Sequence, residues 1–197
     1  MKLFIKSLAV ATLLSMIFSL IPFSARCKNV SKEVFRLHIL ANSDSTQDQN
    51  LKLKVRDKVL EYSKDIYSNS QDLQTAEKLS SENLQAIANI AQQEVYNNGY
   101  AYTVKAQICN MYFNTRYYDN VTMPSGKYDA LRITIGEGKG KNWWCVMYPS
   151  LCIGTSTDYK ALKDNVNNDE YKLMTSDKYN FKFKIVEYFE KICSYFS

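Results

Sequence analysis

Three chemistries could be housed in the stretch GEGKGKNWWCVMYPSLC, residues 136–152. Glycines beside lysines suggest a phosphate cradle, and a cysteine with the chain's one histidine suggests a nucleophile and base. Paired cysteines suggest a metal site. A phosphate loop needs Gly-Lys followed by Ser or Thr at the opening of a helix. Here Gly140-Lys141 is followed by Asn142 and Trp143. A dinucleotide fingerprint needs its glycines between a strand and a helix at another spacing, which single alternation at Gly136, Gly138 and Gly140 does not supply. Those glycines read instead as places where the backbone passes tightly or bends. A Cys–His nucleophilic pair has His38 as its one candidate base, with Cys109, Cys145 or Cys152 as partner, and the sequence does not place them together. Zinc spacing is absent. Asp44, Asp48, Asp57 and Asp129 are accounted for by caps, turns or surface. No cofactor is expected, and a thiol-dependent hydrolase is the alternative that remains. The tryptophans are left over. Neighbours on a strand face opposite sides, so Trp143 and Trp144 cannot both point into a one-sided core. One ring lies at a surface, or both faces are covered, and partly exposed aromatics are what interfaces use.

The elements that must position these residues follow from periodicity. VFRLHIL, residues 34–40, alternates Phe35, Leu37 and Ile39 against Arg36 and His38, the pattern of a half-buried strand with His38 on its outer face. ANSDSTQDQN follows, rich in turn and cap residues. Thr46 with Gln49 fits a capping box, and Asp44 and Asp48 suit the positive end of a helix. That helix is expected from Gln47 to Tyr67, with Leu51, Val55, Val59, Tyr62 and Ile66 as its apolar stripe. Lys52, Lys54, Arg56 and Lys58 lie off the stripe and read as a solvated face. Asp72 can cap a second helix, from Leu73 to about Tyr96, which Ser80-Ser81 could loosen or break. Asn97-Asn98-Gly99 stops it. A strand follows with Tyr102, Val104, Ala106 and Ile108 on one side. Another carries Leu131, Ile133 and Ile135, and pairing of these two is the simplest topology. After Cys152 a polar segment reads as a mobile linker with room for a short helical turn. The tail then resumes helical spacing, with Phe181, Ile185, Tyr188, Phe189, Ile192 and Phe196 on one stripe. Packing on the domain is the plain reading of that stripe; lying on a membrane surface or a partner is the sharper one.

The chain's start carries Lys2, Lys6 and an apolar run from Ser7 to Phe23, with a small residue at Ala25: a signal-peptide pattern, with a retained anchor as the competing reading. Phe23 occupies a position that is usually small. Removing residues 1–25 takes away two lysines and lowers the net charge from +5 to +3. No basic block with interleaved aromatics appears, so nucleic-acid binding is set aside. Outside the cytoplasm some of the five cysteines could pair, and an odd count leaves one over. Cys145 and Cys152 are the expected pair, since Pro149 can turn the chain between them. The whole reads as α+β: a small, mostly antiparallel sheet with two helices on one face, plus a C-terminal amphipathic helix. The expected organisation is a signal segment over 1–25, a domain over 26–153, and a linker with its helix over 154–197.

FRLHILANSDSTQDQNLKLKVRDKVL and MPSGKYDALRITIGEGKGKNWWCVMYPSLC together resemble the stage II sporulation protein R family of endospore-forming bacteria. The resemblance runs from about Val34 to Ile153. It implies a signal rather than an enzyme. Such a protein would be made in the forespore and exported to the space between the forespore and mother-cell membranes. There it would activate a membrane-embedded aspartic protease of the mother cell, which processes pro-sigma-E. Contact with a membrane surface would suit the mild basic charge, and no nucleic acid or small-molecule substrate is implied. The expected recognition surface lies in the shared motifs: Asn42, Ser43, Asp44, Asp48, Arg56, Gly138, Asn142, Trp143 and Trp144.

Overall fold

The computed structural model describes residues 1–67, 70, 72–149 and 159–195. The chain divides into two units. The larger comprises residues 33–111 and 127–167; the other comprises 1–32, 112–126 and 168–197.

The larger unit is built on a four-stranded sheet. Its strands are β1 (Phe35–Leu40), β2 (Val104–Phe113), β5 (Gly126–Ile135) and β6 (Asn142–Tyr148), in the spatial order β2-β5-β1-β6. The two strands expected to pair, β2 and β5, are neighbours. β1 runs parallel to β5 and antiparallel to β6. Three helices cover one face of the sheet: α2 (Thr46–Tyr67), α3 (Leu73–Glu82) and α4 (Leu84–Asn97). The core between them joins Phe35, Leu37 and Ile39 of β1 and Leu131 and Ile133 of β5 to Leu51, Val55 and Val59 of α2 and Ile87, Ala91 and Val95 of α4. The β1, β5 and α2 residues among these are on the stripes that the spacing predicts.

Several expectations are corrected. The long second helix breaks at Asn83, two residues past the suspected serines, so three helices and not two cover the sheet. Asn83 ends α3 by donating its backbone N–H and its side-chain Nδ2 to the Leu79 carbonyl, at 3.0 and 2.9 Å. Ser80 does not break the helix, because its hydroxyl is spent on the Ala76 carbonyl one turn back. Asp72 does cap α3, accepting from the Thr75 N–H at 2.7 Å. β1 is buried along its whole length rather than half-buried, and His38 is only 3% exposed. Arg36 is buried too, its guanidinium 4.9 Å from the Tyr128 ring centroid and its Nε 3.5 Å from the Cys145 carbonyl. The second face of β1 is covered by neighbouring rings, Tyr128 at Arg36 and Trp144 at His38, and polar side chains buried there must find partners.

Residues 154–158 lie outside the described residues. From Tyr159 the supposed linker is helical: α5 (Tyr159–Asn165) belongs to the larger unit and buries Leu162.

The smaller unit holds helix α1 (Lys2–Ser31), the two-stranded ribbon β3 (Arg116–Tyr118) and β4 (Val121–Met123), helix α6 (Asn168–Met174), and α7 (Asn180–Tyr195). α1 continues through Ala25, and Phe23, Cys27 and Val30 are buried. Phe23 packs on Phe183 of α7 with ring centroids 5.1 Å apart. The tail stripe does not point inward as its plain reading has it. Phe183 and Val186 are buried instead, while Phe181, Tyr188, Phe189 and Ile192 are exposed; Phe196 lies outside the described residues.

Candidate functional site

Register brings the recurring motifs to one place. β1 and β5 are parallel, so both finish at the same end of the sheet; β6 is antiparallel to β1, so it starts there. The loop leaving β1 (residues 41–45) and the loop from β5 to β6 (residues 136–141) therefore emerge side by side, next to the start of α2.

The two loops are bonded to each other through the backbone. Lys139 and Gly140 donate their N–H groups to the carbonyls of Asn42 and Ala41, at 3.1 and 2.9 Å. Glu137 N–H donates to Asn42 Oδ1 at 3.0 Å, and Lys141 N–H to Asp44 Oδ1 at 2.7 Å. Gly136 N–H goes to the Thr103 carbonyl and Gly138 N–H to that of Ile135. Every backbone donor from Gly136 to Lys141 is thus satisfied within the protein. A phosphate cradle needs such donors free and convergent, and this loop has none to offer. The glycines have another use. Gly138 has φ +63°, where a side chain is strained. At Gly140 a Cβ would collide with the Ser43 backbone carbonyl.

Asp48 ties the assembly from beneath. It is 4% exposed and accepts from Asn42 Nδ2 at 2.9 Å and Ser43 Oγ at 2.6 Å. Burial pushes its carboxyl up, but the bonds from Ser43, Asn42 and the Tyr102 hydroxyl outweigh that and hold it below the ordinary aspartate range. The expected Thr46–Gln49 capping box is not formed. Ser45 caps α2 instead, its Oγ accepting from the Asp48 N–H at 3.1 Å, and Gln49 reaches back to the Ser43 carbonyl at 2.8 Å.

Lys52 stands one turn further along α2. It is 5% exposed, not on a solvated face, and its Nζ donates to Gln49 Oε1 at 2.7 Å and to the Lys141 carbonyl at 3.0 Å. Burial draws its pKa below the ordinary lysine range against the pull of Asp44, with Arg56 and Lys141 adding to the fall.

The two tryptophans part as strand alternation requires. Trp143 lies opposite Ile39 and packs against the helical core. Arg56 of α2 places its guanidinium 4.4 Å from the Trp143 ring centroid while pairing with Asp57 at 2.6 Å. Trp144 lies opposite His38 on the other face, and the two rings stack at 4.0 Å with 6° between their planes. His38 Nε2 is 3.0 Å from Asn142 Oδ1. Both indoles are half-buried, and Asp44 and Asn142 are exposed beside them.

All nine candidate contact residues thus converge on one end of the sheet. Asn42, Ser43, Asp48 and Gly138 fix the shape of the loops, Asp44 and Asn142 are exposed beside them, Arg56 and Trp143 lie on the helical side of the sheet, and Trp144 lies on the other side. Four further participants escape sequence reasoning. Alternation and spacing assign His38 and Lys52 to exposed faces, Gln49 to a different cap, and Tyr102 to a strand stripe. No local signal sets Lys52 apart, because Lys52, Lys54 and Arg56 each follow an apolar residue at the same spacing.

Thiol chemistry gains no geometry here. Cys109 sits on β2, with β5 between it and β1, and two strand spacings separate those backbones by about 10 Å. Cys145 is disulfide-bonded, and it pairs in register with Leu37 rather than His38. Burial, aided by Glu190, pushes the Cys27 thiol up to about 12, far from a thiolate. Cys152, the expected partner of Cys145, lies outside the described residues. Among the described residues no group of three His, Cys, Asp or Glu side chains is placed to hold a metal ion.

What this end of the sheet defines is a pre-shaped surface made of two mutually locked loops with an aromatic and cationic margin. Residues 31–158 match the family described as stage II sporulation protein R. Over 150 residues the chain is 34% identical to the stage II sporulation protein R of Bacillus subtilis (strain 168), an alignment that takes in 74% of this chain and 65% of that protein. The chain therefore spans just under two thirds of that relative's length. No solved structure matches it. The chain belongs to the stage II sporulation protein R family, a family of sporulation proteins.

Proposed function

We propose that this chain is an exported signal of endospore formation. It passes from the forespore into the space between the forespore and mother-cell membranes. There it switches on a membrane-embedded aspartic protease of the mother cell, which then matures pro-sigma-E. Family membership supports the sporulation role. The leader-like start, Lys2 and Lys6 before an apolar run, supports export. The observation that carries recognition over reaction is the closed hydrogen bonding of the 41–45 and 136–141 loops. Loops already held in one shape lose little freedom on being bound, which suits recognition. On this reading Asp44, Arg56, Asn142, Trp143 and Trp144 meet the protease. Cys152 is the partner of Cys145 and braces the strand that carries both indoles.

The test is reconstitution of the three components in a host that makes no spores. Pro-sigma-E should mature only when this chain and the protease are both present. Trp144→Ala and Arg56→Glu should each reduce maturation at least tenfold while thermal melting shows a folded protein. Maturation that proceeds without this chain, or that ignores both substitutions, would overturn the proposal. So would loss of maturation on Cys109→Ser in a folded protein, which would favour the thiol hydrolase.

A further inference from the structure

Helix α7 has two apolar faces and needs only one of them to fold. Its buried face carries Phe183 and Val186 together with Glu187. Spacings of seven and four residues line up Phe181, Tyr188 and Ile192 on the opposite side, with Phe189 beside them. These four are 76%, 65%, 56% and 66% exposed. A stripe of that size turned to solvent is unusual for a helix whose other face already fills a core.

The charges on α7 are sorted with the same polarity. Both acidic side chains turn inward. Glu187 accepts the Thr115 N–H at 3.2 Å, and Glu190 accepts the hydroxyls of Tyr112 and Ser125 at 3.0 and 2.8 Å. The lysines stand along the flanks of the outer stripe. Lys184 and Lys191 reach Glu187 at 3.6 and 3.0 Å, yet their side chains remain 48% and 45% exposed. Lys182 lies on the other flank, bonded to Ser19 Oγ at 2.7 Å. The outward side is therefore apolar along its centre and cationic at its margins, with both carboxylates withdrawn. That is the charge and hydropathy pattern complementary to an anionic lipid surface, with aromatic rings at acyl-chain depth and ammonium groups at the headgroups.

We propose that α7 docks flat on an anionic membrane through Phe181, Tyr188, Phe189 and Ile192. This goes beyond the signalling proposal and does not depend on it: it concerns a different unit of the chain from the one that carries the two-loop surface, and it needs no protease.

The experiment uses the full chain with Tyr188→Trp, a conservative change at an exposed position, and compares it with the unsubstituted chain as background for Trp143 and Trp144. Emission is measured with vesicles of phosphatidylglycerol mixed with phosphatidylcholine, with and without bromine on the acyl chains. The apolar residues of α1 can bind vesicles on their own, so sedimentation alone decides nothing and the local quench at position 188 is the readout. The added indole is expected to be quenched by brominated chains. Three flanking lysines at roughly fivefold each should make affinity for phosphatidylcholine alone lower by on the order of a hundredfold. An unquenched indole on vesicle-bound chain overturns the proposal. So does quenching indifferent to phosphatidylglycerol. A concentration-dependent dimer that Phe181→Ser and Phe189→Ser dissociate would assign the stripe to a second copy instead, and would equally overturn it.

Discussion

Asp48 shows how much one carboxylate can hold. Its oxygens gather donors from Asn42 and Ser43 in the loop just before it and from Tyr102 of a distant segment. Asp48→Asn keeps the size and removes the charge, and it turns one acceptor into a donor facing other donors. The expected cost is about 1.5–3 kcal/mol in urea unfolding, the range for hydrogen bonds to a charged group. The pH dependence has a definite sign. The folded-state pKa lies below the ordinary value of about 3.9. The carboxylate thus contributes stability that is fully present above that value and is lost as pH falls through the folded pKa. Unfolding free energy followed from pH 6 downward should drop below about pH 4 in the parent. It should drop less steeply in Asp48→Asn, and identical slopes would rule this residue out as the acid-sensitive group. At this scale the sequence is partly legible. It points to Asp48 as a residue at a helix start, but a helix-start aspartate is normally exposed. Nothing in the local pattern says that Tyr102 will reach it from another segment.

Among elements, legibility follows periodicity. β1, α2, β2 and β5 are readable because each has one apolar side at period 2 or 3.6. The break at Asn83 is not, because α3 and α4 share a nearly continuous stripe and the cap is a side chain bonding within its own turn. α5 and α6 escape notice because Leu162, Leu173 and Met174 are too few to make a stripe, although all three are buried. His38 is misplaced because alternation tells which residues share a face but not whether that face is covered. The coupling of α2 to the second loop through Lys52 is equally invisible. It rests on a lysine ammonium donating a hydrogen bond to a backbone carbonyl 89 residues away. Lys52→Met keeps the buried stem and removes both bonds. Amide exchange at Lys139, Gly140 and Lys141 should then quicken by about tenfold, the equivalent of one such bond, with little change in the global unfolding transition. Unchanged exchange there would mean that α2 does not brace the loop.

At the scale of the molecule, two units are threaded through one chain, the smaller one drawing on residues near both termini and on the 112–126 insertion. The family match ends at residue 158, so α6 and α7 lie beyond it. The larger unit's last strand is braced covalently at Cys145. With Cys152 as the partner, the closed loop is short, and chain-entropy reasoning gives roughly 2–3 kcal/mol of stabilisation. Cys152→Ser should cost about that much and should leave Cys145 open to alkylation after unfolding without reductant. A Cys145 that stays protected in that variant would show that its sulfur is joined elsewhere.

The six consecutive amides of the second loop, each already spoken for by a neighbouring oxygen, carry one more consequence. Such a loop cannot mould itself to a visitor without first unzipping from its neighbour, so encounter leaves its outline unchanged. Whatever docks there loses little freedom on the side of this chain, and any adjusting falls to the visitor. Variants that loosen the pair of loops should therefore leave arrival rates nearly intact and lower the fraction of productive arrivals, a signature quite unlike that of removing a contact atom.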